Sequence, residues 1–572
     1  VAHDEEIGGP DANELIIALV AAVGTDVGMI VDQVRVSLSD YAYETIPLRL
    51  SNYLAEEAGE DFFATRPFDE AVWDAMTAGD ELRERWGRGD ALALHAITDI
   101  AATRYERADM PVPTLPAEGS EPPDGSGAAD LSPPLDRVAF VLRSLKTQDE
   151  LETLRAVYGP RLVVIAAYSP KEERIAHLHA QIEDSRGTAD ESTWTHSPED
   201  LVDRDEKEEG KRGQDVSGTF HRADFFIRGW NRDVVREDLN RTMEILFGSP
   251  FRTPTRDEHG QYLASGAALR SAEYGRQVGA AVATRAGSII AVGANEVPNA
   301  GGGSHWEEDG VGHRDFEIGD VDTNRKQFDE LAEQLADHID ENAVGLNEAI
   351  IEIDAMDPVS DAAGALDAVR TVLREQLPKI LRAGGLKDLT EFGRAVHAEM
   401  NALLDAARRG VPVQDAILYS TTFPCHNCAR HIVAAGIARV VFIEPYTKSR
   451  AEQLHSDSIA IAPAEPDDKK VIFSPFVGVA PRRYREMFDA AVREHLGHTP
   501  RKDDDGRKVT FDKRTALPVF SDGGLAPFRP EAREYRWKEL LAVDHFGKHQ
   551  QQQPDSSVRA REDPSRNPTE ED

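Results

Sequence analysis

Only two cysteines occur in the 572 residues, Cys425 and Cys428. A disulfide framework is therefore excluded as the basis of the fold, and any role for the pair has to be local. No stretch approaches the ~18 consecutive apolar residues that a spanning helix needs, so no membrane partner is expected. Basic charge is scarce: 65 Lys plus Arg stand against 103 Asp plus Glu, a formal charge of −38. Non-specific nucleic-acid affinity comes from neutralising phosphates with a basic surface, so no DNA-binding surface is expected. An anionic membrane surface is disfavoured on the same ground. Lysine is the sparser base, outnumbered by arginine about three to one. The opening residues, Val1-Ala2-His3-Asp4-Glu5-Glu6, show no signal-peptide or lipidation pattern, and the expected location is cytoplasmic.

What is present is enough for a sizeable core. About 40% of the chain is apolar, and the length suits about three domains. The acidity is spread along the chain and not gathered in one tail, the pattern that keeps a protein soluble in a salt-rich cytoplasm, so a halophilic source is expected.

Alternating strands and helices predict a parallel α/β domain over residues 14–247. Strands are expected at 14–23, 43–50, 138–142, 162–167 and 223–228, with helices at 27–41, 89–107, 149–158, 171–181 and 231–246. Residues 111–134 are rich in Pro, Gly, Ser and Asp and read as a mobile loop. Residues 184–215 are highly charged. A linker at 248–258 leads into a second α/β pattern: helix 262–276, strands 277–284 and 288–293, helix 397–409, strand 415–420, helix 426–435 and strand 438–443. An acidic insertion at about 300–390 interrupts it. The second domain is taken as 248–492. A polar extension, 493–572, follows, disordered from about 549. No internal repeat is evident.

The chemistry gathers at His397-Ala398-Glu399 and Pro424-Cys425-His426-Asn427-Cys428. A Cys-x-x-Cys at a helix start puts two thiolates on one side of the first turn, where unpaired N–H groups and the helix dipole favour the deprotonated ligands. One distant histidine makes three protein ligands and leaves the fourth zinc position for water, as in catalytic sites. His426 is spaced too tightly to chelate the same ion. Glu399, two residues from the metal histidine, can reach the water without being a ligand. The order H-x-E … P-C-x-x-C is the signature of zinc deaminases, in which hydroxide attacks C4 of a cytosine ring and the glutamate shuttles protons. A redox dithiol, a structural zinc knuckle and coincidence are the competing readings.

Further residues surround this pattern. Gln277-Val278-Gly279-Ala280 precedes Gly293-Ala294-Asn295-Glu296-Val297-Pro298; HisAlaGluMetAsnAla fills 397–402; Thr421-Thr422-Phe423-Pro424-Cys425 runs into Cys428-Ala429-Arg430; and Ala434-Ala435-Gly436-Ile437 precedes Val440-Val441-Phe442. Together they closely resemble the deoxycytidylate deaminase family of the cytidine-deaminase fold over about 262–450. The resemblance implies a three-layer α/β/α domain, Zn²⁺ on His397, Cys425 and Cys428, and Glu399 as proton shuttle. It also implies a substrate-binding role for Ala398 and contact of Asn295 with deoxyribose or base. Asn295 as a plain turn residue remains open. Lys448 in Tyr446-Thr447-Lys448-Ser449 is a candidate for substrate phosphate or a solvated loop lysine. Gly301–Trp306 offers amides and a stacking ring, or is an ordinary loop.

With Val23-Gly24-Thr25-Asp26-Val27-Gly28, Arg143-Ser144-Leu145-Lys146, Leu154-Arg155, Tyr158-Gly159, Gly213-Gln214, Thr219-Phe220 and Ala223-Asp224 added, residues 14–490 resemble the anti-phage dCTP deaminases. These fuse a P-loop-kinase-like domain to a deaminase and deplete dCTP during infection. The first loop lacks what phosphoryl transfer needs: Met29 and Ile30 follow Gly28, and no lysine precedes Lys146. Gly24 and Gly28 are therefore candidate nucleotide-binding residues of a degenerate regulatory domain, or a structural turn. The expected function is deamination of a deoxycytidine nucleotide, preferably dCTP, in antiviral defence. The rivals are a dCMP deaminase supplying dUMP, a polynucleotide editor disfavoured by charge, and a non-enzymatic nucleotide-sensing regulator. A regulatory nucleotide, self-association and an inhibitory partner of unknown kind complete the expected partners.

Overall fold

The computed structural model describes residues 13–110, 134–207, 216–319, 322–341, 393–446, 449–463, 469–495, 498–518 and 542–543. The chain forms two compact units, Val1–Glu258 with Phe476–Asp572, and His259–Pro475. Both are α/β. Most of the expected loop at 111–134, most of the insertion, Lys448 and the tail from 549 lie outside the described residues.

The first unit is built on β1 (Leu15–Ala21), β2 (Glu44–Arg49), β3 (Val138–Leu145), β4 (Leu162–Tyr168) and β5 (Phe225–Arg228). They run parallel in the order β2-β3-β1-β4-β5. Every residue of β1 is buried, which is why it reads as an unbroken apolar run: a parallel strand with cover on both faces has no solvent side to alternate with. Ile17 of β1 faces Val141 of β3 and Val163 of β4 in register. Helices Val27–Ser39 and Arg232–Leu246 set Ile30, Val34, Leu38, Leu239 and Met243 against the odd-numbered side chains of β1 in one core.

Three features of this unit were not read from the sequence. Helices Leu50–Ala58 and Phe68–Trp86 fill the stretch after β2. The longer one buries Ala71, Met76, Leu82 and Trp86, carries Asp69 and Glu70 in its first turn and Arg83 and Arg85 in its last, and stops at left-handed Gly87. Within the charged stretch 184–215, helix Pro198–Lys207 buries Leu201 and Val202 beside Leu178 and Ile182. Third, residues 476–492, expected in the second domain, belong to the first unit. β12 (Gly478–Val479) pairs antiparallel with Phe225 and Phe226 on the edge of β5, and Val479 and Met487 join the core.

The linker is shorter than expected. Helix Arg256–Ala268 begins inside it, because Thr255 and Glu258 bond reciprocally: Glu258 N–H donates to Thr255 Oγ1 (3.1 Å) and Thr255 N–H to Glu258 Oε2 (2.7 Å). The second unit's sheet has the order β10 (Ile459–Ile461), β11 (Val471–Pro475), β9 (Arg439–Glu444), β8 (Ile417–Thr422), β6 (Gly279–Ala283), β7 (Ile289–Ala294). β6 and β7 form an antiparallel hairpin, and β6 is also antiparallel to β8. β9, β11 and β10 continue parallel to β8. Helices Ala398–Arg408 and His426–Ala434 pack on the face that bears Ala280, Leu418 and Val440. On the other face Gly260 and Ala264 of the preceding helix approach Tyr419 and Gly279. The expected three layers are present. Of the insertion, Thr323–Glu341 is helical. No helix among the described residues is long and apolar enough to cross a membrane.

Candidate metal centre

Two helix starts build the site. His397 is the N-cap residue of helix Ala398–Arg408, with Glu399 in its first turn; Cys425 is the N-cap residue of helix His426–Ala434, with Cys428 in its first turn. Both helices therefore direct their positive ends at the same point, which favours thiolate over thiol. The first helix is seated by Gly293 of β7, whose position leaves no room for a side chain under the backbone of Ala398 and Ala402. Asn401 fastens it: its Nδ2 donates to Ala294 O (2.8 Å) and to Ser304 Oγ (2.7 Å). The loop before the second helix is pinned by Phe423 N–H donating to Glu444 O (2.8 Å) and by Ser449 Oγ donating to Pro424 O (2.8 Å).

The donor atoms converge. Cys425 Sγ and Cys428 Sγ lie 3.3 and 3.4 Å from His397 Nδ1, and all three donors lie within 4.8 Å of one another. No fourth protein donor joins them among the described residues. One imidazole nitrogen and two sulfurs are a donor set that suits zinc with one position left over. Among themselves these groups share protons. The Cys425 thiol is pushed down to about 4, first by its hydrogen bond with Cys428 and then by His397. His397 is pushed up to about 9, chiefly by its bond to Cys425. Only Cys425 is biased toward its metal-binding form; Cys425 and burial push the Cys428 thiol up, so a cation bound here has to displace protons from Cys428 and His397.

Glu399 stands beside the set, 3% exposed. The Cys428 thiol donates to its Oε2 at 3.4 Å. Burial above all, then the charge of Cys425, raises its affinity for a proton. A carboxyl in that state is suited to take up and return a proton next to a metal-bound reactant. Glu273 was not singled out from the sequence. It is pushed up to about 7 by burial and by Asp315 and Glu296, and it feels the charge of His397.

The remaining sequence candidates fall out variously. The Asn295 amide holds backbone at both ends: Val278 N–H donates to Oδ1 (2.7 Å) and Nδ2 donates to Arg276 O (2.9 Å). Ala398 is fully buried in the core under the helix. Amides of Gly301 and Gly302 are taken by Asn299, and the Arg270 guanidinium lies 3.7 Å over the Trp306 ring. Gly24 and Gly28 lie in the other unit. Gly24 has φ +87 and a Cβ there would meet the Arg174 backbone at 2.7 Å. The carboxylate of Asp26 already caps the helix by accepting from Met29 N–H (2.9 Å). Lys146, the lysine nearest that loop in sequence, pairs with Asp205 (3.1 Å).

Residues 254–444 match the family model for the cytidine and deoxycytidylate deaminase zinc-binding region. The chain is 44% identical over 55 residues to a deoxycytidylate deaminase of Enterobacteria phage T2, covering 10% of this chain and 29% of that protein. It is 44% identical over 62 residues to ComE operon protein 2 of Bacillus subtilis, covering 11% and 33%. It is 33% identical over 117 residues to a probable deoxycytidylate deaminase of Drosophila melanogaster, covering 20% and 41%. The chain thus spans less than half the length of these curated relatives. A solved dCMP deaminase from cyanophage S-TIM5 aligns at 15% identity and a TM-score of 0.19, covering 39% of this chain and 99% of that one.

Proposed function

We propose that this chain, which carries a cytidine and deoxycytidylate deaminase zinc-binding region, hydrolyses a deoxycytidine nucleotide to the deoxyuridine nucleotide and ammonia. The observation that carries the reading is the convergence of His397, Cys425 and Cys428 within 4.8 Å beside a buried, proton-hungry Glu399. Zinc at that point supplies Lewis acidity and lowers the pKa of water towards ~7. His397, Cys425 and Cys428 hold the ion, and the two helix starts orient them. Glu399 takes the proton from the attacking water, delivers it to ring N3 and assists departure of ammonia. Asn295 is fixed by its two backbone bonds, and its remaining amide N–H serves the nucleotide.

Within that chemistry dCTP is the preferred substrate and antiviral nucleotide depletion in the cytoplasm the role, a reading supported by the resemblance of residues 14–490 to anti-phage dCTP deaminases. The relatives named deoxycytidylate deaminase favour dCMP as the second reading. Full-length zinc-loaded protein offered dCMP, dCDP, dCTP, CTP and single-stranded DNA in parallel separates them by ammonia release. Turnover of dCMP alone moves the assignment to dUMP supply; no turnover of any leaves a nucleotide-sensing regulator. The first unit binds a regulatory nucleotide without transferring phosphate, and the enzyme self-associates. Support for the missing transfer is the loop after β1, where Asp26 occupies the helix cap and Lys146 is held by Asp205. Phosphate release from ATP that is abolished by changes at Gly24 and Gly28 would overturn it.

A further inference from the structure

Arginine is concentrated at one place in the first unit, around the turn that enters β5. Arg155 comes from helix Gln148–Tyr158, Arg222 and Asp224 from the turn, and Arg482, Arg483 and Glu486 from the segment that follows β12. Arg482 is ion-paired with Asp224 and donates from Nε to Ala223 O at 3.3 Å. Arg483 Nη1 lies 3.4 Å from the same Asp224 oxygen, and its Nε lies 2.5 Å from Glu486 Oε2. Asp224 is committed elsewhere too, since its Oδ2 accepts from Val164 N–H at 2.8 Å. Arg222 turns outward to Glu152 at 2.7 Å.

Three guanidiniums, Arg155, Arg482 and Arg483, thus share two carboxylates. Arg155 is the one left over. It donates to the Arg222 carbonyl (2.5 Å) and makes no ion pair among the described residues. Arg483 is 6% exposed, yet its Nη2 and Nε have no hydrogen-bond partner among the described residues, nor do the two oxygens of Glu486 beside it, although Nε and Oε2 are close. Half-buried positive charge that is only partly offset costs free energy: Arg155 is pushed down to about 10 by burial and then by Arg482, and the charge of Asp224, shared with Arg482 and Arg483, offsets this only in part. In a chain of net charge −38, acidic side chains to neutralise this spot were abundant. The Arg482 side chain is 43% exposed, so the cluster opens to solvent on that side.

We propose that Arg155, Arg482 and Arg483 form a binding site for a small phosphate-bearing anion, in the first unit and apart from the deamination chemistry. A phosphate accepts from guanidinium forks in pairs, so it gives Arg155 a counter-charge and Arg483 Nη2 an acceptor. Arg155 precedes β4, whereas Arg482 and Arg483 lie beyond the second unit in sequence; a bound anion therefore ties the returning segment to the first unit's sheet.

The test is calorimetric titration of full-length, zinc-loaded protein with inorganic pyrophosphate. Saturable binding is expected, weakened at least about tenfold by Arg155→Gln, the loss for removing one charged hydrogen-bonding group. Arg155→Lys, which keeps the charge and loses the fork, falls between the two. Arg222→Gln, whose partner is outward, leaves affinity within about twofold. If Arg155→Gln fails to fold, Arg482→Gln carries the same expectation. Wild-type protein that ignores about 10 mM pyrophosphate overturns the proposal. So does binding that survives Arg155→Gln and is displaced by dCMP, which places the anion in the deaminase unit. A ribo-oligonucleotide that binds in preference to pyrophosphate and depends on Arg155 overturns the small-anion assignment.

Discussion

Replacing Gly293 with alanine tests whether the helix bearing His397 and Glu399 is held in place by backbone contact with β7. A Cβ on Gly293 would stand 2.4 Å from Ala398 O and 2.5 Å from Ala402 N. Ordinary contact begins near 3.4 Å, so helix and strand must part by about 1 Å, and both neighbours are backbone atoms that no rotamer change can withdraw. Overpacking of this kind costs ~1–3 kcal/mol. For a unit of this size that corresponds to a fall of roughly 2–12 °C in unfolding temperature. The shift carries Glu399 and His397 away from Cys425 and Cys428, and ~1 Å of misplacement costs on the order of 10²-fold in turnover. Gly266→Ala is the control: it also lies in the second unit, nothing stands within 4 Å of its Cβ, and a helix-interior alanine there adds ~0.5–1 kcal/mol. Thermal unfolding, zinc content and ammonia release are measured on both. If Gly293→Ala unfolds and turns over like wild type, helix placement does not depend on that contact and the positional argument is refuted.

Glu399→Gln is expected to retain zinc and fold while losing ~10²–10⁴-fold in ammonia release; near-normal release would remove Glu399 from proton transfer. Cys425→Ser is expected to lose metal by elemental analysis, and stoichiometric zinc in that variant would break the ligand assignment. Asn401→Ala removes both hydrogen bonds to the end of β7 and its loop and should destabilise the second unit by ~1–3 kcal/mol; an unchanged unfolding temperature would show those bonds to be idle. Glu273 is raised from 4.5 to about 7, so its contribution to stability is fully present below about pH 4.5 and lost as pH rises through about 7. Glu273→Gln should therefore be the more stable protein above pH 7 in denaturant titrations of the metal-free form, and a parallel pH profile would count against the assignment.

What the sequence makes legible follows from how local the constraint is. His397, Cys425 and Cys428 could be picked out because metal chemistry restricts residue type, and two short spacings on two helix starts satisfy it. β1, β4 and the first five residues of β3 announce themselves because a strand buried on both faces is apolar where it is covered. Helix Phe68–Trp86 had its signals in place, from Asp69 and Glu70 to Gly87, and went unread because Gly79 and Arg83 interrupt the apolar residues on its buried face. β12 is a different case. Two residues, Gly478 and Val479, carry no periodicity, and only pairing with Phe225 and Phe226 makes them a strand.

The same distinction governs the polar residues. Asn295 and Asn401 sit in the motifs that resemble the deaminase family, yet their hydrogen bonds run to backbone at Val278, Arg276 and Ala294, so part of what those motifs specify is the frame around the metal centre. Gly24 is similar: its positive φ and its approach to Arg174 give the glycine a steric cause whether or not a ligand binds nearby. The arginines around Asp224 come from three separate stretches, and of them only Arg155 lies in a pattern singled out from the sequence, Leu154-Arg155. Their meaning arises only when burial and charge are counted together, with Arg155 making no ion pair of its own and Asp224 offsetting its charge only in part. A motif identifies residues whose chemistry is fixed by sequence neighbours; an uncompensated charge is a property of the assembled chain.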